Sequence, residues 1–453
     1  MNEGFTAGAS RIDITPPLTI PYLGFVPRHA FFEGVHDPLH ARAVVVGDGE
    51  RRVALLSADI IGLSKSLAGE GRDFTAEVRE RVRAACGIPP DHVLLSATHA
   101  HSTPETTGLR RMLDHPGAAA WIDTLRDQLA SAVALADRDR APARLKQAIG
   151  RAEGLARSRR ILGRDGRLYP WTRRPPDDQI ADWGTHDPEA TLLLFEREGA
   201  SNIALVHFAC HPVTVQVQPL ISADFPGAMT TFIEGSGIGC DHCLFLQGAA
   251  GDINPVRGTT DFADVRRYGL LLAGEVLKQI AAVSAPDYPV ASPHVRAASR
   301  TLSLPSRELP PLSEVLEAHR QGEEVVRQAG TDEERKRAER ALLGLTERLV
   351  RVRRGDAPAP AEVQVLRVGD AALVGIPGEP FAQMGVVLKR ETCAPMALCL
   401  GYANDYIGYL APVSAWAQGG YEVSLGTWSN VGPQAFDLLL DAARSLVEEV
   451  WKA

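Results

Sequence analysis

Apolar residues crowd successive positions in short runs: ARAVVVGD at 41–48, RVALLSAD at 52–59 and HVLLSATH at 92–99. Between such runs they recur at helical spacing. In FTAEVRERVRAACG (74–87), Val78, Val82 and Cys86 fall at i, i+4 and i+8, and Gly87 followed by Pro89 and Pro90 ends the helix. AAAWIDTLRDQLASAVALA (118–136) reads as a second amphipathic helix. Further strands are predicted at 190–197, 202–210, 242–248, 362–369 and 371–378, and further helices at about 262–283 and 434–451. Several strands are apolar at both alternating positions, as in sheets covered on both faces. The expected class is α/β, with mixed sheets covered by helices.

Residues 312–355 break this pattern. They are densely charged, helix-forming and spaced for i, i+4 ion pairs, which predicts an inserted helical hairpin turning near Gly330, Thr331 and Asp332. Such a hairpin reads first as a solvated spacer, with a partner-binding or oligomerising arm as the alternative. The remainder of residues 1–453 is expected to form one domain around it.

Composition narrows the classes of function. The formal charge is −8, from 48 basic and 56 acidic side chains, so no global field draws the chain to nucleic acid or an anionic membrane. The first residues, MNEGFTAGASRIDITPP, lack the basic start and apolar stretch of a secretory signal, and no window approaches 18 consecutive apolar residues. A cytoplasmic chain with no stable membrane association is expected. Its six cysteines are sparse enough to be reduced thiols, and CDHC at 240–243 has no second pair nearby to complete a structural zinc site.

Candidate chemistry lies where apolar runs end. His99 and His101 close one run, and i and i+2 on an extended backbone share a face. Neutral imidazole is a common zinc ligand, although a single HxH is weak evidence. His211 ends VHFAC before Pro212, repeating that layout, and taken alone it is equally a hydrogen-bonded core histidine. Glu379 follows ALVGIPG. A carboxylate there is ligated, paired or placed to favour a helix start. GDINP at 251–255 offers Asp252 and Asn254 beside small residues that let a ligand approach, or else makes a tight turn. The arginine-rich stretch 156–174 is a solvated loop or the source of an anion clamp.

Taken in order, ASRIDITPP, GVHDPLHARA, SATHAHSTP, DPEATLLLF, HFACHPVTV, SADFPGAM, QGAAGDINP, GIPGEPF and GYANDYIGYLAP…GGYEV resemble the catalytic domain of the neutral (non-lysosomal, alkaline) ceramidase family. The resemblance implies one zinc ion held by His99, His211, Glu379 and Tyr409. It implies further active-site roles for His101, for Tyr421 twelve positions after Tyr409, and for an arginine among 157–160, with Arg160 favoured over Arg159. Asp252, Asn254 and Arg159 are expected at the substrate. Secreted relatives add a C-terminal β-rich domain, which is not expected here, and have a serine where this chain has Asn254. The expected activity is therefore zinc-dependent hydrolysis of a linear amide in a small soluble molecule. A metal-dependent esterase or lactonase, an amidase of ceramide-type N-acyl lipids and an inactive metal-binding homologue are the alternatives. Self-association is left open.

Overall fold

Strand after strand, neighbouring side chains point into two different cores, which is why the apolar runs show little alternation. The computed structural model describes residues 4–22, 31–109, 112–216, 218–256, 259–356 and 359–452. Its main sheet contains β1 (Phe5–Asp13), β2 (His40–Gly47), β3 (Arg52–Ala58), β4 (Val93–Ala97), β5 (Ala141–Arg151), β6 (Glu189–Arg197), β7 (Ile203–Phe208) and β8 (His242–Gln247). They lie in the order β8-β7-β6-β5-β1-β2-β3-β4. The central pairings are antiparallel, whereas β3–β4 and β7–β8 near the two edges are parallel. A second sheet follows: β9 (Val295–Leu304), β10 (Ala359–Val368), β11 (Ala371–Gly375) and β12 (Met396–Leu400), in that order.

The longer helices are α1 (Phe74–Cys86), α2 (Ala118–Arg138), α3 (Asp224–Glu234), α4 (Phe262–Val283), α5 (Leu312–Gln328), α6 (Asp332–Arg353), α7 (Ala382–Glu391) and α8 (Ala435–Lys452). Val44, Leu55, Leu94 and Leu205 of the main sheet pack against Leu366, Leu373 and Leu398 of the second. The opposite faces meet helices. Val45 and Leu56 join α1 and α2, Leu194 and Val206 join α3 and α4, and Val363 and Val374 join α7 and α8. The result is a mixed α/β fold with helical outer layers and two facing sheets. Each fully buried Leu or Val contributes about 1.5–3 kcal/mol.

Two expected strands end early. The runs at 202–210 and 371–378 leave the ladder after Phe208 and Gly375, ahead of Pro212 and Pro377, which cannot donate to a ladder. The freed segments carry His211 and Glu379. The arginine-rich stretch is more ordered than a solvated loop. Ala156–Ser158 pairs antiparallel with Ile253–Pro255, placing Arg157 opposite Asn254.

The hairpin sits where expected. α5 and α6 connect the antiparallel neighbours β9 and β10, and Thr331 with Glu334 forms a capping box at the start of α6. The helices touch closely at Gly322, where an added Cβ would come within 2.7 Å of Leu345. Val315, Leu349 and Val352 join the hairpin to the body beside Leu309 and Leu425.

Candidate metal centre

The chain turns sharply after β4, and this turn delivers His99. Thr98 N–H donates to Ala58 O at 2.9 Å and His99 N–H to Ile60 O at 3.0 Å. His99 itself has φ +67°, a left-handed conformation uncommon for a residue with a Cβ. The two histidines are therefore not brought together by the alternation of an extended strand, since the strand has already ended at Ala97. The turn crosses their rings at 87°, with Nε2 of His101 3.1 Å from Nε2 of His99.

His211 follows β7, next to the edge strand on the other side of the main sheet, its N–H donating to Ile253 O at 3.1 Å. Glu379 comes from the second sheet, in the short strand Glu379–Pro380 that runs parallel to Tyr409–Leu410 with Glu379 opposite Tyr409. Gly378 makes this approach possible. Its φ is +149°, and a Cβ there would lie 2.5 Å from Gly408 O.

The donors of the two key imidazoles are already committed. His99 Nδ1 lies 2.6 Å from Ile61 O, and His211 Nδ1 lies 2.5 Å from Ala250 O. A carbonyl only accepts, so each Nδ1 carries the proton and each Nε2 presents a lone pair. These lone pairs face Glu379 Oε2, at 3.6 Å from His99 and 3.1 Å from His211. Among these three groups acceptors converge with no donor between them, and His211 Nε2 is buried without a hydrogen-bond partner. A cation resolves that conflict, and imidazoles anchored through Nδ1 to carbonyls are the usual form of metal-ligating histidine. The residues present thus fit a divalent metal such as zinc. Nε2 of His101 extends the cluster: the ligating atoms of His99, His101 and His211 all lie within 4.8 Å of one another.

Burial favours the neutral imidazoles a metal needs. Desolvation, reinforced for His99 by His211 and Arg159 and only partly opposed by Glu379, pushes His99 down to about 3. Desolvation and then Arg159 bring His211 down to about 3. Two tyrosines hold Glu379 in place, with Tyr406 Oη donating to the far oxygen Oε1 at 2.5 Å and Tyr402 Oη to Oε2, the oxygen that faces the imidazoles, at 3.2 Å. Tyr402 also stacks on the His99 ring, with centroids 3.9 Å apart.

Arg159, not Arg160, reaches this centre. Arg159 Nη2 donates to Tyr409 Oη at 3.0 Å and to Gly251 O at 2.7 Å, while Nη1 is 3.4 Å from Asn254 Oδ1. Arg160 is turned to the opposite side, where Nη1 meets Glu422 Oε2 at 2.6 Å and Nη2 meets Gly419 O at 2.7 Å. Successive residues of an extended segment point to opposite faces, so one of the two had to be structural. Glu422 ties them together by also accepting Arg159 Nε at 2.8 Å. Burial opposes its charge, but the two guanidiniums prevail and hold it below the usual carboxylate range.

Tyr409 is buried; desolvation and then the Glu379 charge push its hydroxyl well up, against the pull of Arg159. Tyr421 packs edge-on against Tyr409 at 5.9 Å, stacks on Trp428 at 4.6 Å and is 43% exposed, so it stands at the mouth. Asp252 is spent on structure: its Oδ1 accepts Ala382 N–H at the start of α7 at 2.8 Å, and burial raises it to about 7. Asp59 is likewise engaged by Arg42 at 2.7 Å and Asp224 by the Val215 and Phe225 amides. Cys240 and Cys243 are buried free thiols whose pKa values desolvation raises.

Sequence reasoning passed over Tyr402, Tyr406 and Glu422. Their only signal was density, three tyrosines within GYANDYIGY and a glutamate directly after Tyr421.

A family model described as neutral/alkaline non-lysosomal ceramidase, N-terminal, matches residues 5–258. A neutral ceramidase of Mycobacterium tuberculosis is 25% identical over 463 aligned positions, covering 86% of this chain and 68% of its own. A neutral ceramidase of Drosophila melanogaster is 36% identical over 104 residues, 22% of this chain and 14% of its own. The crystal structure of neutral ceramidase from Pseudomonas aeruginosa superposes with a TM-score of 0.71 at 20% identity, over 99% of this chain and 75% of that one. A ceramidase complexed with C2 gives 0.71 at 16% identity, over 100% and 76%. At such identities the superpositions establish the shared fold. The matched segment spans more than half of the sequence, and the chain belongs to the neutral/alkaline non-lysosomal ceramidase family.

Proposed function

We propose that this chain is a zinc-dependent amidohydrolase acting on a linear amide of a small, soluble molecule. The observation that carries the reading is the convergence of His99 Nε2, His211 Nε2 and Glu379 Oε2, all acceptors, in a buried site. His99, His211 and Glu379 would hold the metal, and Tyr409, opposite Glu379 in the register of the short strands, would complete the set. When bound, zinc supplies Lewis acidity that polarises a carbonyl and lowers the pKa of water from about 15.7 to near 7.

The chain's own groups provide the remainder. Arg159 anchors the Tyr409 hydroxyl and brings a fixed positive charge to the place where an oxyanion develops. Tyr421 at the mouth adds a hydroxyl donor. His101, buried and in contact with His99 through Nε2, carries a proton toward the leaving nitrogen. That proton matters because an amine is a poor leaving group. Glu422 bridges the two guanidiniums and offsets one of their two positive charges, with Arg159 turned to the site and Arg160 to the fold.

A soluble substrate is favoured by the chemistry around Arg159. Asn254 places a carboxamide beside it, and the segment that delivers it bears Arg157 and Arg174 packed over Trp171. No described helix is long and apolar enough to cross a membrane. The deciding experiment assays zinc-loaded protein on matched short-chain N-acyl amides, esters and a long-chain ceramide. Hydrolysis of the soluble amides above the others supports the reading. Preference for ceramide overturns the substrate class, preference for esters overturns the bond, and zinc-loaded protein inert to all of them overturns the enzyme.

A further inference from the structure

The hairpin at 312–355 is more than a spacer. Its second helix reaches into the framework behind the two tyrosines of the site. Glu347 Oε2 accepts the hydroxyl of Thr427 at 2.5 Å. One turn on, Arg351 is 3% exposed; its Nε donates to Ser429 O at 2.8 Å and its Nη2 to Asn430 O at 3.2 Å. Thr427 and Ser429 are themselves buried.

The other side of segment 427–430 holds the site. Tyr409 N–H donates to Trp428 O at 3.3 Å, Gly408 and Ser429 form an antiparallel bridge, and Asn430 Nδ2 donates to Ile407 O at 3.2 Å. The Trp428 ring stacks on Tyr421, and its Nε1–H donates to Tyr421 O at 3.1 Å. The Gly408 approach is close enough that a Cβ there would overlap Trp428 O. Segment 427–430 is thus clamped between α6 and the strand that carries Tyr409, with its one large ring placed under Tyr421. Arg354, at the end of α6, donates to Leu109 O at 2.7 Å and so also grips the loop that follows His99 and His101.

We propose that Glu347 and Arg351 are positioning residues of the active site, acting through segment 427–430 to set the Tyr421 ring and hydroxyl at the mouth. The proposal rests on the hydrolase reading for its kinetic consequence but not for its geometry. Solvent-facing pairs such as Glu317–Arg320 and Glu324–Arg327 keep the outer face of α5 in water. The two α6 residues instead direct hydrogen bonds to segment 427–430, which supports Tyr409 and Tyr421, with Arg351 donating also to Gly355 O and Ser306 Oγ.

The test compares Glu347→Ala, Glu347→Gln, Thr427→Val and the Glu347→Ala/Thr427→Val double variant, because Arg351→Ala is buried enough to unfold the protein. Four quantities are read: bound zinc, kcat and KM on a short-chain N-acyl amide, and the Trp428 emission obtained by subtracting each variant's Trp428→Phe counterpart. Expected are unchanged zinc, kcat lowered about tenfold with KM nearly constant, and a shifted Trp428 emission. Glu347→Gln, which still accepts from Thr427, restores most of kcat, and the double variant is no worse than either single one. Wild-type kcat and Trp428 emission in Glu347→Ala, or additive losses in the double variant, overturn the proposal. If no amide is turned over by the parent protein, the hydrolase reading fails separately, and the Trp428 emission alone decides whether α6 positions this loop.

Discussion

Nε2 of His211 lies 3.1 Å from Oε2 of Glu379, and both atoms are acceptors. In protein stripped of metal this contact is repulsive, so the site costs stability until a cation enters. Glu379→Gln turns one acceptor into a donor while leaving an oxygen for Tyr406, and the Tyr402 hydroxyl, which donates to Oε2 in the parent, turns to accept from the new amide. Metal-free Glu379→Gln is expected to be more stable than metal-free parent by about 1 kcal/mol, while the stabilisation by added zinc disappears. Thermal melts with chelator and with zinc check both signs. A variant less stable than the parent without metal would show that the contact is not a conflict between acceptors.

The two adjacent arginines are expected to fail differently. Arg159 distributes one guanidinium over Tyr409, Gly251 O and Glu422, a fork that a lysine ammonium does not reproduce. Arg159→Lys should lower kcat by about 10- to 100-fold with little loss of stability. Arg160→Lys removes contacts to Ala415 O, Gly419 O and Glu422 and should cost about 1–3 kcal/mol in urea unfolding, with kcat within a few-fold of the parent.

Which arginine serves the site was the point at which sequence reading stopped. The phase of the stretch is set by three residues pairing with Ile253–Pro255, a contact nearly 100 positions away that no local pattern encodes. The strands feeding the site were legible because burial on both faces removes polar positions, as in Leu192–Val206 and Leu55–Leu94. His211 and Glu379 stood out because proline and glycine interrupt an apolar run just where each appears. Tyr402 and Tyr406 did not, since 401–408 is irregular backbone with positive φ at Tyr402 and Asn404 and offers no period to read. The charge pattern of α6 correctly indicated a solvated hairpin face, yet gave no sign that Arg351 is buried against Ser429 O.

His101 should separate metal binding from chemistry. Its Nε2 touches His99 Nε2, but neither Glu379 nor His211 needs it as a hydrogen-bond partner in the geometry described above. His101→Gln is expected to retain stoichiometric zinc and lose about 10²–10⁴-fold in amide turnover. The loss should be smaller on an ester of the same acyl group, whose alkoxide leaves without the same demand for a proton. Zinc content by metal analysis, and the ratio of amide to ester rates, check the two parts independently. Loss of zinc along with turnover would make His101 a ligand, in line with the three-imidazole group.

Two buried groups away from the ligand set give pH dependences of opposite sign. Burial lowers His207, whose Nε2 lies 2.9 Å from Cys399 O, from 6.5 to about 4. Burial raises Asp252 from 3.8 to about 7. Between about 4 and 6.5 the unfolded chain protonates His207 and the native protein does not, so its contribution falls as pH falls. Between about 4 and 7 the native protein holds the Asp252 proton and the unfolded chain does not, so its contribution falls as pH rises. Measured in metal-free protein, the stability of the parent minus that of His207→Gln should climb with pH through the first window. The stability of the parent minus that of Asp252→Asn should drop through the second, each with a slope of at most about 1.4 kcal/mol per pH unit. Outside their windows both differences should be flat. A difference for Asp252→Asn that rises with pH would mean that Arg159 and the Ala382 amide outweigh burial and keep that carboxylate charged.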